Sequence, residues 1–279
     1  MPSPFSATAT QRTVTRIESR HNARWKELRH RLLHPGRVED GRIAVEGVHL
    51  IDEALRSGLE LEQIFVREDV AETMQKFPAR EVCIVAASIF NHGSATETPQ
   101  GVAALVQMPV VSRDAIFESA NPLLVVLDGV QDPGNLGTIV RSAEAFGATG
   151  LLLLPGTVSP WNQKTLRASA GSVFRVPLAQ LPVEEALAAL HARGIAICAA
   201  VARGGVDANT LPLQQPTALL IGNEGAGISV AALAQAHHRV QIPCPGPVES
   251  LNAAVATSIL LYAAARQRMA PTSTQAALP

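Results

Sequence analysis

The 279-residue chain is poor in cysteine and aromatics, has no long apolar run and carries almost no net charge. Its three cysteines, Cys83, Cys198 and Cys244, are odd in number and share no CxxC spacing. They exclude a disulfide framework and a structural zinc site built from cysteine alone. Apolar runs such as Leu123–Leu127 and Leu151–Leu154 fall far short of the roughly 18 residues that a spanning helix needs. The Ser/Thr-rich start, Met1 to Thr15, lacks the apolar h-region of a secretory signal, so a soluble, cytoplasmic protein is expected. Lys and Arg number 23 against 24 Asp and Glu, a balance that by itself argues against a polyanionic partner. What is present is 47% hydrophobic residues with 17% charged ones, enough to bury a core and to exclude disorder as the main state. At about 100–200 residues per domain, the length suggests two domains.

The even balance of charge hides a segregated distribution. Residues 12–42 hold nine basic side chains, Arg12, Arg16, Arg20, Arg24, Lys26, Arg29, Arg31, Arg37 and Arg42, against the four acids Glu18, Glu27, Glu39 and Asp40. Eight of the nine are Arg, whose planar fork suits phosphate better than the point charge of Lys. The same pattern fits a solvated amphipathic helix over roughly 19–33, with Trp25, Leu28, Leu32 and Leu33 on its buried side.

Helix-like and strand-like pieces alternate from Ile17 to Val106, giving a small α/β domain at 16–107 behind a flexible leader at 1–15. Residues 108–121 read as a linker, 122–268 as a second domain and 269–279 as a loose tail. In the second domain, apolar runs of four to six residues alternate with helices, the mark of a mainly parallel sheet covered on both faces. Ligands sit outside the carboxyl ends of such strands. Three loops occupy these positions.

The first loop, 128–137, opens a helix for which Asn135 is the expected N-cap, with Leu136, Ile139, Val140, Ala143 and Phe146 buried and Arg141 on another face. It carries neither a Gly-Lys-Ser/Thr P-loop nor a GxGxxG fingerprint, so both nucleotide-fold readings drop out. The second, Gly222-Asn223-Glu224-Gly225-Ala226-Gly227, has three glycines in six residues, which lets backbone approach a ligand. In the third, Pro243, Pro245 and Pro247 stiffen the chain ahead of a terminal helix from Ser250, the expected cap, with an apolar stripe of Leu251, Val255, Ile259 and Tyr262. Each loop alone also suits ordinary turn and cap chemistry. Cys244 reads as a small apolar filler, and His237 and His238 as surface residues at a helix end.

Together the segments DPGNLGTIVRSAEAFG (132–147), IGNEGAGIS (221–229) and IPCPGPVESLNAAVA (242–256) resemble the three ordered motifs of the SpoU family, the TrmH-type RNA 2′-O-ribose methyltransferases of the SPOUT class. LRASAGSVFRVPL (166–178) is similar to the same family, and AVEGVHLIDEAL (44–55) and TPQGVAAL (98–105) resemble its L30e-like substrate-binding domain. The resemblance implies an α/β fold with a deep C-terminal trefoil knot, S-adenosylmethionine as cofactor, a homodimer, and no metal or membrane. By the family's motifs, Arg141, Asn135, Glu224, Ser250 and Asn252 would form the catalytic group. Leu220, Gly222, Asn223, Gly225, Ile242, Ser250, Leu251 and Asn252 would line the cofactor pocket. Arg20, Arg24, Lys26, Arg29 and Arg141 are the expected RNA contacts. The N-terminal domain favours ribosomal RNA, 23S in particular, as the substrate; a transfer-RNA methyltransferase and a catalytically silent RNA-binding assembly factor are the alternatives. With ten aromatics and no stacking cluster among them, recognition is expected to rest on RNA shape and backbone.

Overall fold

The computed structural model describes residues 13–35, 40–72, 77–94, 99–109 and 112–269. The chain divides into two compact units, Met1–Pro109 with Trp161–Leu166, and Val110–Pro160 with Arg167–Pro279. Trp161–Leu166, which the sequence reading places in the second domain, thus clusters with the first unit.

The first unit runs β1 (Thr13–Ile17), α1 (Ala23–Leu33), β2 (Arg42–Glu46), α2 (Val48–Arg56), β3 (Leu61–Arg67), β4 (Glu81–Val85), α3 (Ala87–Gly93) and β5 (Val102–Gln107). Its five strands order β1-β4-β3-β5-β2; β1, β4 and β3 are parallel, and β5 lies antiparallel to β3 and β2. Strand β1 begins inside the segment read as a leader: Thr13 to Ile17 pair with Glu81 to Val85. The rest of that leader, 1–12, lies outside the described residues, as do 270–279 of the expected tail.

Helix α1 starts where Asn22 Oδ1 accepts from the amides of Arg24 and Trp25, at 3.0 and 3.5 Å. It buries Trp25, Leu28 and Leu32, with Trp25 against Phe65 and Phe90 at centroid distances of 6.2 and 5.6 Å. Leu33, expected on the buried side, is 52% exposed, because it falls about 100° round the helix from Leu32.

The basic segment is less free than its sequence suggests. Arg31 and Arg42 both clamp Asp40, at 2.6 and 2.5 Å, and Arg24 pairs with Glu81 at 2.7 Å. Burial alone would raise the Asp40 pKa, but the two guanidinium groups outweigh it and hold the carboxyl well below its usual range. Arg20, Lys26 and Arg29 are exposed, and no described residue engages them in a hydrogen bond or ion pair. Arg12 and Arg37 lie outside the described residues.

The second unit opens with a 3-10 turn, Asp114–Phe117, inside the expected linker; its Ile116 is fully buried. There follow β6 (Leu123–Asp128), α4 (Pro133–Ala145), β7 (Gly150–Leu153), α5 (Gln163–Ser169, its first residues in the first unit), β8 (Leu178–Gln180), α6 (Val183–Ala192), β9 (Ala196–Ala200), β10 (Val206–Asp207), β11 (Thr217–Gly222), α7 (Val230–Ala234), β12 (His238–Gln241) and α8 (Ala253–Met269). Every strand pair is parallel, in the order β10-β12-β9-β11-β6-β7-β8. Central β6 and β11 are buried on both faces, as their unbroken apolar runs demand.

Two helix starts differ from the sequence reading. Asp132, not Asn135, caps α4: its Oδ1 accepts from the Asn135 amide at 2.8 Å, and Pro133 takes the first helical position, where no amide is needed. Asn252, not Ser250, caps α8, accepting from Ala254 and Val255 at 2.9 and 3.2 Å. The α8 stripe also turns outward. Ala254, Thr257, Leu260, Leu261 and Ala264 face the core, whereas Val255, Ile259 and Tyr262 are 47, 39 and 52% exposed. At its far end, Arg268 donates to four backbone carbonyls, those of Leu213, Asn121, Pro122 and Gln215, at 2.6–3.1 Å. That side chain ties the end of α8 to the entries of β6 and β11. No helix among the described residues is long and apolar enough to cross a membrane.

Candidate active site

The three loops at the ends of β6, β11 and β12 meet in the second unit. Loop two folds tightly on itself, because Gly222 and Gly227 approach so closely that a Cβ on Gly222 would overlap the Gly227 and Ile228 backbone. Asn223 fastens it. Its Oδ1 accepts from Gly225 and Ala226 at 2.9 and 2.8 Å, and its Nδ2 reaches the Gly129 carbonyl at 2.7 Å in loop one. Asp128, at the end of β6, accepts from the Ser229 amide at 2.7 Å and joins the same two loops from below.

Glu224 then lies against the first loop. One oxygen accepts from Asp132 N at 3.3 Å and Asn135 Nδ2 at 2.8 Å, and the other accepts from Gln131 N at 3.2 Å. Burial works to raise its pKa, but these donors, Asn135 first among them, outweigh burial and bring it below the ordinary value. Asn135 Oδ1 in turn accepts from Asn252 Nδ2 at 3.0 Å. Glu224, Asn135 and Asn252, one from each loop, thus form a continuous hydrogen-bonded chain.

The other two expected catalytic residues stand outside it. Ser250 is exposed on the third loop. Arg141 is exposed on α4, about 9 Å along the axis from Asn135 at 1.5 Å per residue, and no described residue engages its guanidinium. Its free fork faces solvent.

Beside the chain lies a cavity of about 760 Å3. Gly222, Asn223, Gly225, Ile242, Ser250, Leu251 and Asn252 line it. Leu220 does not: it is fully buried within β11, one residue before Ile221, where the strand first reaches the cavity. Sequence reasoning missed one wall, Ala200 to Arg203, which follows β9. The signal was available in Arg203-Gly204-Gly205, a glycine pair after an apolar strand, which resembles an ordinary turn. Cys244 lines the cavity but is exposed, so it is no packed filler. Burial pushes the other thiols up, Cys83 to about 12 and Cys198 to about 11. His237 is a surface residue as expected, yet its Nδ1 accepts from the Ile197 amide at 2.9 Å, and burial together with His191 and His238 lowers its pKa. Among the described residues no group of three or more His, Cys, Asp and Glu is arranged to hold a metal ion.

A parallel sheet with three glycine- and proline-rich loops over one polar-rimmed cavity defines a small-molecule-binding α/β domain. Comparison with known proteins gives its kind. Residues 122–262 match the SpoU rRNA Methylase family model, and residues 22–104 match a model described as MRM3-like substrate binding domain. The chain is 33% identical over 249 residues to the 23S rRNA (guanosine(2553)-2′-O)-methyltransferase RlmP of Bacillus subtilis, covering 89% of this chain and 98% of that one. It is 33% identical over 267 residues to the 23S rRNA (uridine(2479)-2′-O)-methyltransferase of Streptomyces viridochromogenes, covering 91 and 93%. The crystal structure of the SpoU methyltransferase AviRb from Streptomyces viridochromogenes, in complex with AdoMet, superposes with a TM-score of 0.80 at 32% identity, covering 89% of this chain and 99% of that one. The chain belongs to the SpoU rRNA methylase family.

Proposed function

We propose that this protein transfers a methyl group from S-adenosylmethionine to a ribose 2′-hydroxyl of 23S ribosomal RNA. The observation that carries the reading is the Glu224–Asn135–Asn252 chain at the rim of the cavity. The cavity fits the cofactor: about 760 Å3 lies within the roughly 300–1,000 Å3 of small-ligand sites, and the bare backbone at Gly246 has open space where a Cβ would stand. Gly222, Asn223, Gly225, Ile242, Ser250, Leu251 and Asn252 would hold it. When bound, S-adenosylmethionine supplies an electrophilic methyl group on a sulfonium sulfur.

The chain's own task is to place the ribose and to ease loss of its hydroxyl proton. Glu224, with its pKa lowered, is a weak base at neutral pH. Its role is to orient Asn135, and through it Asn252, toward the sugar. Arg141 serves through its guanidinium fork: it holds the target phosphate and stabilises the developing alkoxide. Ser250 adds a hydroxyl on the third loop. The unengaged cations Arg20, Lys26 and Arg29 grip RNA phosphates, with Arg24 in support from its pair with Glu81.

The same reading includes a homodimer, a C-terminal trefoil knot and a cytoplasmic setting beside the ribosome. The Val255, Ile259 and Tyr262 stripe supports the dimer, since i, i+4, i+7 apolar residues on a helix ordinarily find a partner. Mass spectrometry of ribosomal RNA from wild-type and deletion cells tests the function. One 2′-O-methyl nucleotide of 23S RNA disappears on deletion and returns when purified protein and S-adenosylmethionine are supplied. A methyl group lost from transfer RNA, or from no RNA, would overturn it.

A further inference from the structure

The cavity wall that follows β9 has no counterpart in the motif-based set of site residues. It is the turn 201–205, held rigidly against β12. Val201 N donates to the Val240 carbonyl at 2.8 Å, and Gly205 N donates to Gln241 Oε1 at 3.2 Å. Gly205 itself lies so close to β12 that a Cβ would meet Val240 C, Arg239 O and Gln241 N at 2.8–2.9 Å. The turn therefore presents Arg203 from a fixed base.

Three charged residues line the cavity, Arg203, Glu224 and Glu249. Glu224 is committed to the first loop through Asn135 and two amides. Arg203 is the one cation among these lining residues, and no described residue pairs with it. An unpaired guanidinium on a rigid turn at the edge of a small-ligand cavity calls for a planar anion, which its fork can bind with two parallel hydrogen bonds. S-adenosylmethionine has one anionic group, the α-carboxylate of its methionine part; its sulfonium and ammonium are cations, and its nucleoside is neutral.

We propose that Arg203 binds the cofactor's α-carboxylate and so fixes which end of the cavity receives the methionine part. This rests on the cofactor assignment above. Arg203 is then a binding residue with no part in the proton chemistry, and Arg141 is left free for the RNA.

Calorimetry on the full-length protein tests it, with two ligands that differ only in the carboxylate: S-adenosylmethionine and decarboxylated S-adenosylmethionine. Wild-type protein is expected to bind the first about ten- to a hundredfold more tightly, the range of a hydrogen bond to a charged group. Arg203→Gln loses that preference by weakening the first ligand alone, and Arg203→Lys restores part of it. Equal weakening of both ligands by Arg203→Gln would mean a damaged cavity, and unchanged affinity for both with weaker RNA binding would mean a phosphate contact. Either result overturns the proposal. Failure of the wild-type protein to bind S-adenosylmethionine at all would instead overturn the cofactor assignment.

Discussion

Asn135 holds the centre of the site by facing two ways, donating to Glu224 and accepting from Asn252. An amide can do both; a carboxylate cannot. Asn135→Asp changes few atoms but sets a second negative charge against Glu224, and like charges at that range raise one partner's pKa. The expected result is a ten- to a hundredfold fall in kcat at neutral pH, about 1.4–2.7 kcal/mol. Activity should partly recover as pH falls and one carboxyl protonates, and a pH profile parallel to wild type would refute the orienting role. In the wild-type protein the sign is opposite. Glu224 has a lowered pKa, so its contribution to stability is full above the ordinary carboxylate range and is lost as pH falls through the folded value. Arg141 differs from Asn135 in having no partner among the described residues to lose. Arg141→Ala should remove methyl transfer while leaving the S-adenosylmethionine Kd within about twofold by calorimetry, a change of roughly 0.4 kcal/mol. A Kd that worsens in step with activity would place Arg141 in the cofactor site instead.

At the scale of elements, α8 carries two distinct jobs on two ends. Its C-terminal Arg268 meets four carbonyls and no carboxylate. Arg268→Ala leaves those acceptors to water or to nothing, and should lower stability by about 2 kcal/mol in urea melts. Arg268→Lys should recover only part, because a single ammonium cannot span four acceptors as a fork does. The exposed stripe further up the helix is the proposed dimer face. Ile259→Lys should give a monomer by sedimentation with little change in the melting curve of the isolated chain, since Ile259 faces away from the core.

Elements also divide by how legible they were. Strand β6 was legible nearly to the residue in the run Leu123–Leu127, because burial on both faces writes an unbroken apolar run. Edge strands β8 and β10 were not, being two or three residues long and mostly unburied. Strand β1 hides in a Ser/Thr-rich segment because its order comes from pairing with β4, a contact across more than sixty positions. The caps of α4 and α8 were misplaced for one reason: Asp132 and Asn135, and Ser250 and Asn252, are both competent caps. Backbone geometry chooses between them, and local composition cannot. The stripe on α8 reads as apolar from sequence, but periodicity does not say whether the chain's own core or another surface covers it. Most of the site was legible through its loops. Its β9 wall was not, since a turn acquires meaning only when a fold brings it opposite a cavity.

For the molecule as a whole, the near-zero net charge is an average over the basic segment 12–42, with nine cations against four acids, and an acidic remainder. Internal pairing trims the basic segment, because Arg24, Arg31 and Arg42 already face carboxylates. Replacing Arg20, Lys26 and Arg29 together with Gln should weaken RNA binding at all sequences. It should also reduce the slope of log K against log salt by about two to three, at roughly 0.7–0.9 per phosphate contact. An unchanged slope would show that these side chains are simply hydrated.

The first unit is also discontinuous in sequence, since it includes Trp161–Leu166. The Gln163 side chain donates to the Ala44 carbonyl at 2.8 Å, a bond across 119 positions. On the ribosome this gives the unit a schedule. When Pro109 has left the exit tunnel the strands can pair, but one contributing segment does not yet exist. It is synthesised only after β6, α4 and β7 have been made. The N-terminal unit is begun first but completed only after the second unit has started, so a fragment ending at residue 109 would resemble a stalled nascent chain more than a domain.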